Sequence, residues 1–134
     1  PLVEECRARD LVIVQINPIV RQRIPRKAAD IMNRLNEITF NTSLIKEIRS
    51  LSLLKKLIEV GDLEEESYKD ALFHRINADV ELEPLGVSSK VNVEWAFLKH
   101  LHDVGYRITE AWLKENFKHL GKRSTLDVES AYLH

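Results

Sequence analysis

The chain has 134 residues, enough for one domain around one core, and its apolar (44%) and charged (31%) fractions are ordinary for a globular protein. A formal net charge of -1 gives no global pull toward nucleic acid or anionic lipid, and the single cysteine, Cys6, excludes a disulfide framework and favours a reducing compartment. No run reaches the roughly 18 apolar residues of a spanning helix, and no signal peptide is visible. The chain starts at Pro1 and its only methionine is Met32, so a longer parent chain is expected.

Residues 1 to 8 read as the end of a helix. Asp10 to Asn17 is the first expected strand, and Pro18 ends it, because proline cannot donate to a ladder. Five of the six residues from Leu11 to Ile16 are aliphatic, and Gln15 is the polar interruption. Such a run suits a strand covered on both faces, as in a parallel sheet between helices. The basic stretch RQRIPRK, residues 21 to 27, reads either as a phosphate-binding patch or as a solvated loop into a helix, with Pro25 near the first turn.

From Lys27 to Val60 the period becomes helical. One face carries Ala28, Ile31, Met32, Leu35 and Ile38; a second stripe carries Leu44, Ile45, Ile48, Leu51, Leu54, Leu57 and Ile58. Phe40 to Ser43 is a place for a bend or break. Gly61 is a good stop, and an acidic turn follows from Asp62 to Glu66. Residues 70 to 78 read as a second strand or as part of a helix starting near Leu63. The strand reading makes a βαβ unit, whose crossover is expected to be right-handed.

Residues 79 to 91 are loop-like. A helix then ends at Gly105, with Val91, Trp95, Leu98 and Leu101 or His102 as its buried face. Another has Thr109 as N-cap and Gly121 just past its end. A last short helix starts near Ser124 or Thr125 and holds Val128, Ala131 and Tyr132. The expected fold class is thus α/β and predominantly helical: strand, long helix that is continuous or broken, strand, then three C-terminal helices.

Chemistry is hard to find by spacing. No G-x-S-x-G occurs; the nearest match, Gly86-Val87-Ser88-Ser89-Lys90, lacks the second glycine and reads as a helix N-cap. His100 and His102, two apart on a helix, point to nearly opposite sides and cannot chelate one ion, so one reads as a surface histidine and the other as partly buried. Cys6 reads as a packed small residue. Trp95 and Trp112 read as core, and the Leu44 to Ile58 stripe suits a core-facing helix better than a membrane surface. No cofactor and no metal site is indicated, and no catalytic residue is assigned.

The stretches VIVQINPI, RIPRKAADIMNRLNEITFNTSLIKEIRSL, LFHRI, SSKVNVEWAFLKHLHDVG and AWLKENFKHLGKRSTLDV resemble, in this order, the C-terminal part of bacterial patatin-like phospholipases. The resemblance covers nearly the whole chain. It implies an α/β/α lipid acyl hydrolase whose serine, in G-x-S-x-G, and aspartate, in D-G-G or D-G-A, lie upstream of Pro1. Residues 1-78 are then the last strands and helix of the catalytic core, and residues 79-134 a helical extension. In open α/β sheets ligands bind beyond the carboxyl ends of the strands, which makes Asn17, Pro18, Arg75 and Asn77 the expected active-site rim. The implied partner is the upstream patatin core, in a cytoplasmic protein that associates with a lipid surface or with a second copy of itself; nucleic acid is not an expected partner. The alternative is a non-enzymatic helical module for protein interaction or membrane-surface binding.

Overall fold

The computed structural model describes residues 7–61, 70–85 and 87–133. The β-rich run forms strand β1 (Asp10–Gln15), and the helical period forms one unbroken helix, α1 (Ala28–Glu59). The second strand, β2 (Leu72–Asn77), pairs with β1 in a parallel two-stranded sheet. The order strand, long helix, strand is the βαβ unit expected from the sequence. Among the described residues, three α-helices follow: α2 (Asp79–Leu82), α3 (Trp95–Asn116) and α4 (Val128–Tyr132). The fold is mixed and predominantly helical.

Helix α1 does not break at Phe40 to Ser43. Its hydroxyls turn back on the helix instead: Thr39 Oγ1 donates to the Leu35 carbonyl at 2.9 Å and Thr42 Oγ1 to the Ile38 carbonyl at 2.7 Å. It stops at Gly61, whose φ of 80° favours glycine. Gly105 does not end a helix either. Helix α3 runs through it and through Thr109, so the two helices expected there are one; a single glycine costs a long helix only about 1 kcal/mol. Gly121, at φ 71°, turns the chain after a short 3-10 segment, Phe117–His119. Helix α4 starts later than expected. Asp127 is its N-cap, accepting the Glu129 and Ser130 amides, while Ser124 and Thr125 bind β2. Ser89 lies within a 3-10 segment, Val87–Val91, and Asn92 accepts the Glu94 amide just ahead of α3. Arg7 and Ala8 are not helical. Readings that involve Cys6, Asp62 to Glu66 or Gly86 fall outside the described residues.

The chain divides into two compact units, one comprising the described residues of Pro1–Ile13, Ser43–Arg75 and Asn116–His134, the other those of Val14–Thr42 and Ile76–Glu115. The first holds most of the apolar core: Ile48, Ala71, Leu72, Phe73, Val128 and Tyr132 are buried. The stripe from Leu44 to Ile58 is buried or half-buried, as its period required. Segment 124–126 flanks β2: Ser124 Oγ accepts the Phe73 amide, and the Phe73 carbonyl accepts the Thr125 and Leu126 amides.

The second unit is built differently. Here α1 buries Asn33, Glu37 and Asn41 and exposes Ile31, Met32, Leu35 and Ile38. The expected core face is the open one. The reason lies in phase. At about 100° per residue, Leu35 and Glu37 lie about 200° apart around the helix. The apolar stripes before and after Thr42 therefore occupy different sides of one continuous helix. The side that buries Ile48 is the side of Glu37 and Asn41, so the first stripe faces away. In α3 the expected buried face is also open: Val91 ahead of it, Trp95 and Leu98 are exposed, Leu101 is half-buried, and Val104 is the buried apolar residue.

Candidate functional site

Both strands run into the second unit, so the segments leaving their carboxyl ends belong to it. The segment after β1 carries Asn17, Pro18 and the basic stretch from Arg21 to Lys27. The segment after β2 carries α2 and then Glu83, Pro84 and Leu85. These two segments and the first turns of α1 enclose an open cavity of about 1020 Å³, with Arg21, Arg23, Arg26, Lys27 and Arg34 in its lining against two carboxylates, Asp30 and Glu83. Ligands of parallel α/β sheets bind at this end.

Three of the lining residues, Arg21, Asn33 and Arg34, bond to Glu37, whose side chain is 2% exposed. Arg21 grips it with two bonds, Nη2 to Oε1 at 2.6 Å and Nε to Oε2 at 2.9 Å, the bidentate fork that suits a carboxylate. Arg34 Nη1 adds a bond of 3.3 Å and Asn33 Nδ2 one of 3.1 Å. Arg34 also donates to the Pro18 and Ile19 carbonyls, and Asn41 Nδ2 to the carbonyls of Asn17 and Pro18. The loop after β1 is thereby clamped to α1. Burial pushes the Glu37 carboxyl up, but the hydrogen bonds and charges of Arg21 and Arg34 outweigh it, and the group titrates below its ordinary range. The same contact with Glu37 raises the Arg21 pKa, with Glu83 and Asp30 adding to it.

Asn17 and Pro18 thus shape the loop through backbone carbonyls. Asn77, in the same unit, donates from Nδ2 to Asp79 Oδ2 at 2.8 Å, at the start of α2. Arg75 lies in the other unit, its guanidinium 5.7 Å from the ring centre of Tyr132. The expected rim residues are therefore engaged in the fold, and three of the four fall in the unit that holds the cavity.

The first unit contains a chain of groups that the sequence reading missed. Asp10 Oδ1 lies 2.9 Å from His74 Nε2, and His74 Nδ1 lies 2.9 Å from Thr125 Oγ1. Carboxylate, imidazole and hydroxyl is the composition of a nucleophilic relay. Yet His74 is fully buried and Asp10 Oδ1 also accepts the Gly121 amide at 2.8 Å, so the chain works as a clamp joining β1, β2 and the turns at Gly121 and Thr125. The Gly121 amide is the main influence holding the Asp10 carboxyl below its ordinary range, with His74 adding to it. Of the other histidines considered for metal, His100 and His102 are both exposed, and His102 pairs with Asp103 and stacks on Tyr106. Among the described residues no group of His, Cys, Asp and Glu is arranged to hold a metal ion. No described helix is long and apolar enough to cross a membrane.

The chain matches no family model, no curated protein and no solved structure. The stripe Asn33, Glu37, Asn41, at i, i+4 and i+8, was present in the sequence as the signal for the site, but a polar stripe opposite an apolar one reads as the solvated face. Asp10, His74 and Thr125 carried no such signal, being far apart in the chain.

Proposed function

We propose that this chain is the C-terminal segment of a patatin-like lipid acyl hydrolase, a structural or accessory part that completes the enzyme without carrying its nucleophile or acid. One observation carries the reading. Strand β1 shows Val12 and Val14 to solvent, at 43% and 69% exposure, and Ile16, just past its end, is 68% exposed. A parallel strand is ordinarily covered on both faces. The open stripe of Ile31, Met32, Leu35 and Ile38 on α1 points the same way, because apolar patches of this kind mark surfaces that meet other protein. Apolar layers left open on a βαβ unit suit an α/β core whose remaining strands and helices belong to upstream sequence. The ordered resemblance of the five segments supplies the family.

The reading assigns the chain a cytoplasmic place beside a lipid surface, and the upstream catalytic core as its partner. Sequencing the reading frame upstream of the Pro1 codon in the source DNA tests it. G-x-S-x-G followed by D-G-G or D-G-A in frame is the expected result, and the extended protein then hydrolyses lipid esters until its motif serine is replaced by alanine. A start codon within a few residues of Pro1 overturns the reading and leaves the open apolar stripe of α1 as the docking face of a non-enzymatic interaction module.

A further inference from the structure

The cavity at the carboxyl ends of the strands carries more positive charge than its own structure uses. Arg21 and Arg34 are committed to Glu37 and to the Pro18 and Ile19 carbonyls. The side chains of Arg23, Arg26 and Lys27 are exposed, and none makes a hydrogen bond or ion pair with a described residue. Three uncommitted cations on a short loop repel one another, in a chain whose net charge is -1. Directly after them begins α1, a helix of 32 residues, whose positive end lies beside the cavity, with Lys27 and Asp30 in the lining. Cations beside the positive end of a helix are the elements of an anion site.

The wall indicates what the anion is attached to. At about 1020 Å³ the cavity exceeds a bare phosphate, and Ile24, Pro25, Pro84 and Leu85 add apolar surface to it. Asn33, whose amide donates to Glu37, also lines it.

We propose that this cavity binds a phosphomonoester carried on a larger organic body, with Arg23, Arg26 and Lys27 holding the phosphate and the Arg21–Glu37–Arg34 network keeping the loop in place. A soluble glycerol phosphate and the headgroup of a phosphatidic acid share this chemistry. The inference does not depend on the acyl-hydrolase reading, since it concerns groups present in this chain.

The full chain is titrated with glycerol 3-phosphate by calorimetry, and separately with phosphatidylcholine vesicles that contain phosphatidic acid, by co-sedimentation. The comparison protein is Arg23→Gln/Arg26→Gln/Lys27→Gln, altered only at exposed side chains; Arg26→Gln alone serves if the triple variant does not fold. Binding of glycerol 3-phosphate that weakens at least roughly tenfold in the triple variant, the equivalent of losing about one charge-assisted hydrogen bond, supports the proposal with a soluble ligand. Vesicle binding alone, weakened in the same way and lost with phosphatidylcholine only, supports it with a lipid headgroup. Absence of binding to both probes at low ionic strength overturns it. So does binding that the variants leave unchanged, or sulfate binding as tightly as glycerol 3-phosphate.

Discussion

Replacing Glu37 with glutamine removes one charge and almost no volume. In the folded chain that charge takes two bonds from Arg21, one from Arg34 and one from Asn33, with its side chain 2% exposed. Removing one partner of a buried pair costs about 3–5 kcal/mol, because the other charge is stranded. Both arginine side chains here retain 21% exposure, so water reaches them in part, and glutamine keeps one acceptor oxygen. The expected loss is therefore about 2–3 kcal/mol. The acid dependence has a definite sign. The Glu37 carboxyl titrates below its ordinary 4.5 when folded. A group whose pKa is depressed by folding contributes stability that is complete above the unfolded value and lost as pH falls through the folded one. Urea unfolding followed by circular dichroism, from neutral pH down into the acid range, measures both. The gap between wild type and Glu37→Gln stays constant near neutrality and narrows as pH falls below 4.5. A variant within about 0.5 kcal/mol of wild type at neutral pH refutes the view that this network is desolvated and holds the loop. A gap that widens in acid refutes the sign.

The clamp in the first unit gives a second case. Asp10→Asn keeps an acceptor for the Gly121 amide but loses the carboxylate facing His74, and is expected to cost about 1–2 kcal/mol. The folded Asp10 carboxyl lies below its ordinary 3.8, so this advantage is complete above that value and fades below it, as urea unfolding against pH can show. Phe73→Ala empties a site that is 1% exposed, for an expected loss of about 3–5 kcal/mol by the same assay. Gly121→Ala meets no atom within 4 Å of the added Cβ; its cost, about 1–2 kcal/mol, is that of the left-handed backbone alone. Ile31→Lys with Leu35→Lys, both on the open stripe of α1, is expected to leave the urea midpoint of the chain nearly unchanged, while sedimentation velocity shows the wild type self-associating through that stripe and the variant not. Strong destabilisation by this pair refutes the description of that stripe as open.

Much of the fold was legible from pattern alone. The aliphatic run from Leu11 to Ile16 and the 3.6-residue period from Ala28 onward specify a strand and a long helix, because side-chain direction alternates in one and rotates by about 100° per residue in the other. Gly61 marked a true stop, since a residue at φ 80° there favours glycine. Gly105, by the same rule, looked like a stop and is not one, because glycine permits a helix end without requiring it. Local pattern also supplied the basic stretch that lines the cavity.

What the tertiary structure decided is which side of each element turns inward. The sequence determined that α1 has an apolar stripe before Thr42 and another after it. It did not determine that the helix would run unbroken through Phe40 to Ser43, which puts the two stripes on different sides and turns Asn33, Glu37 and Asn41 toward the loop after β1. That choice depends on Arg21 arriving from the loop after β1 to join Arg34, on the same helix, in neutralising Glu37, and burial of a carboxylate is tolerable only with such partners. In the same way, Asp10, His74 and Thr125 became neighbours only through strand pairing and the turn at Gly121. A period along the chain records how residues are spaced on one element; the partners that make a buried charge stable are set by the fold.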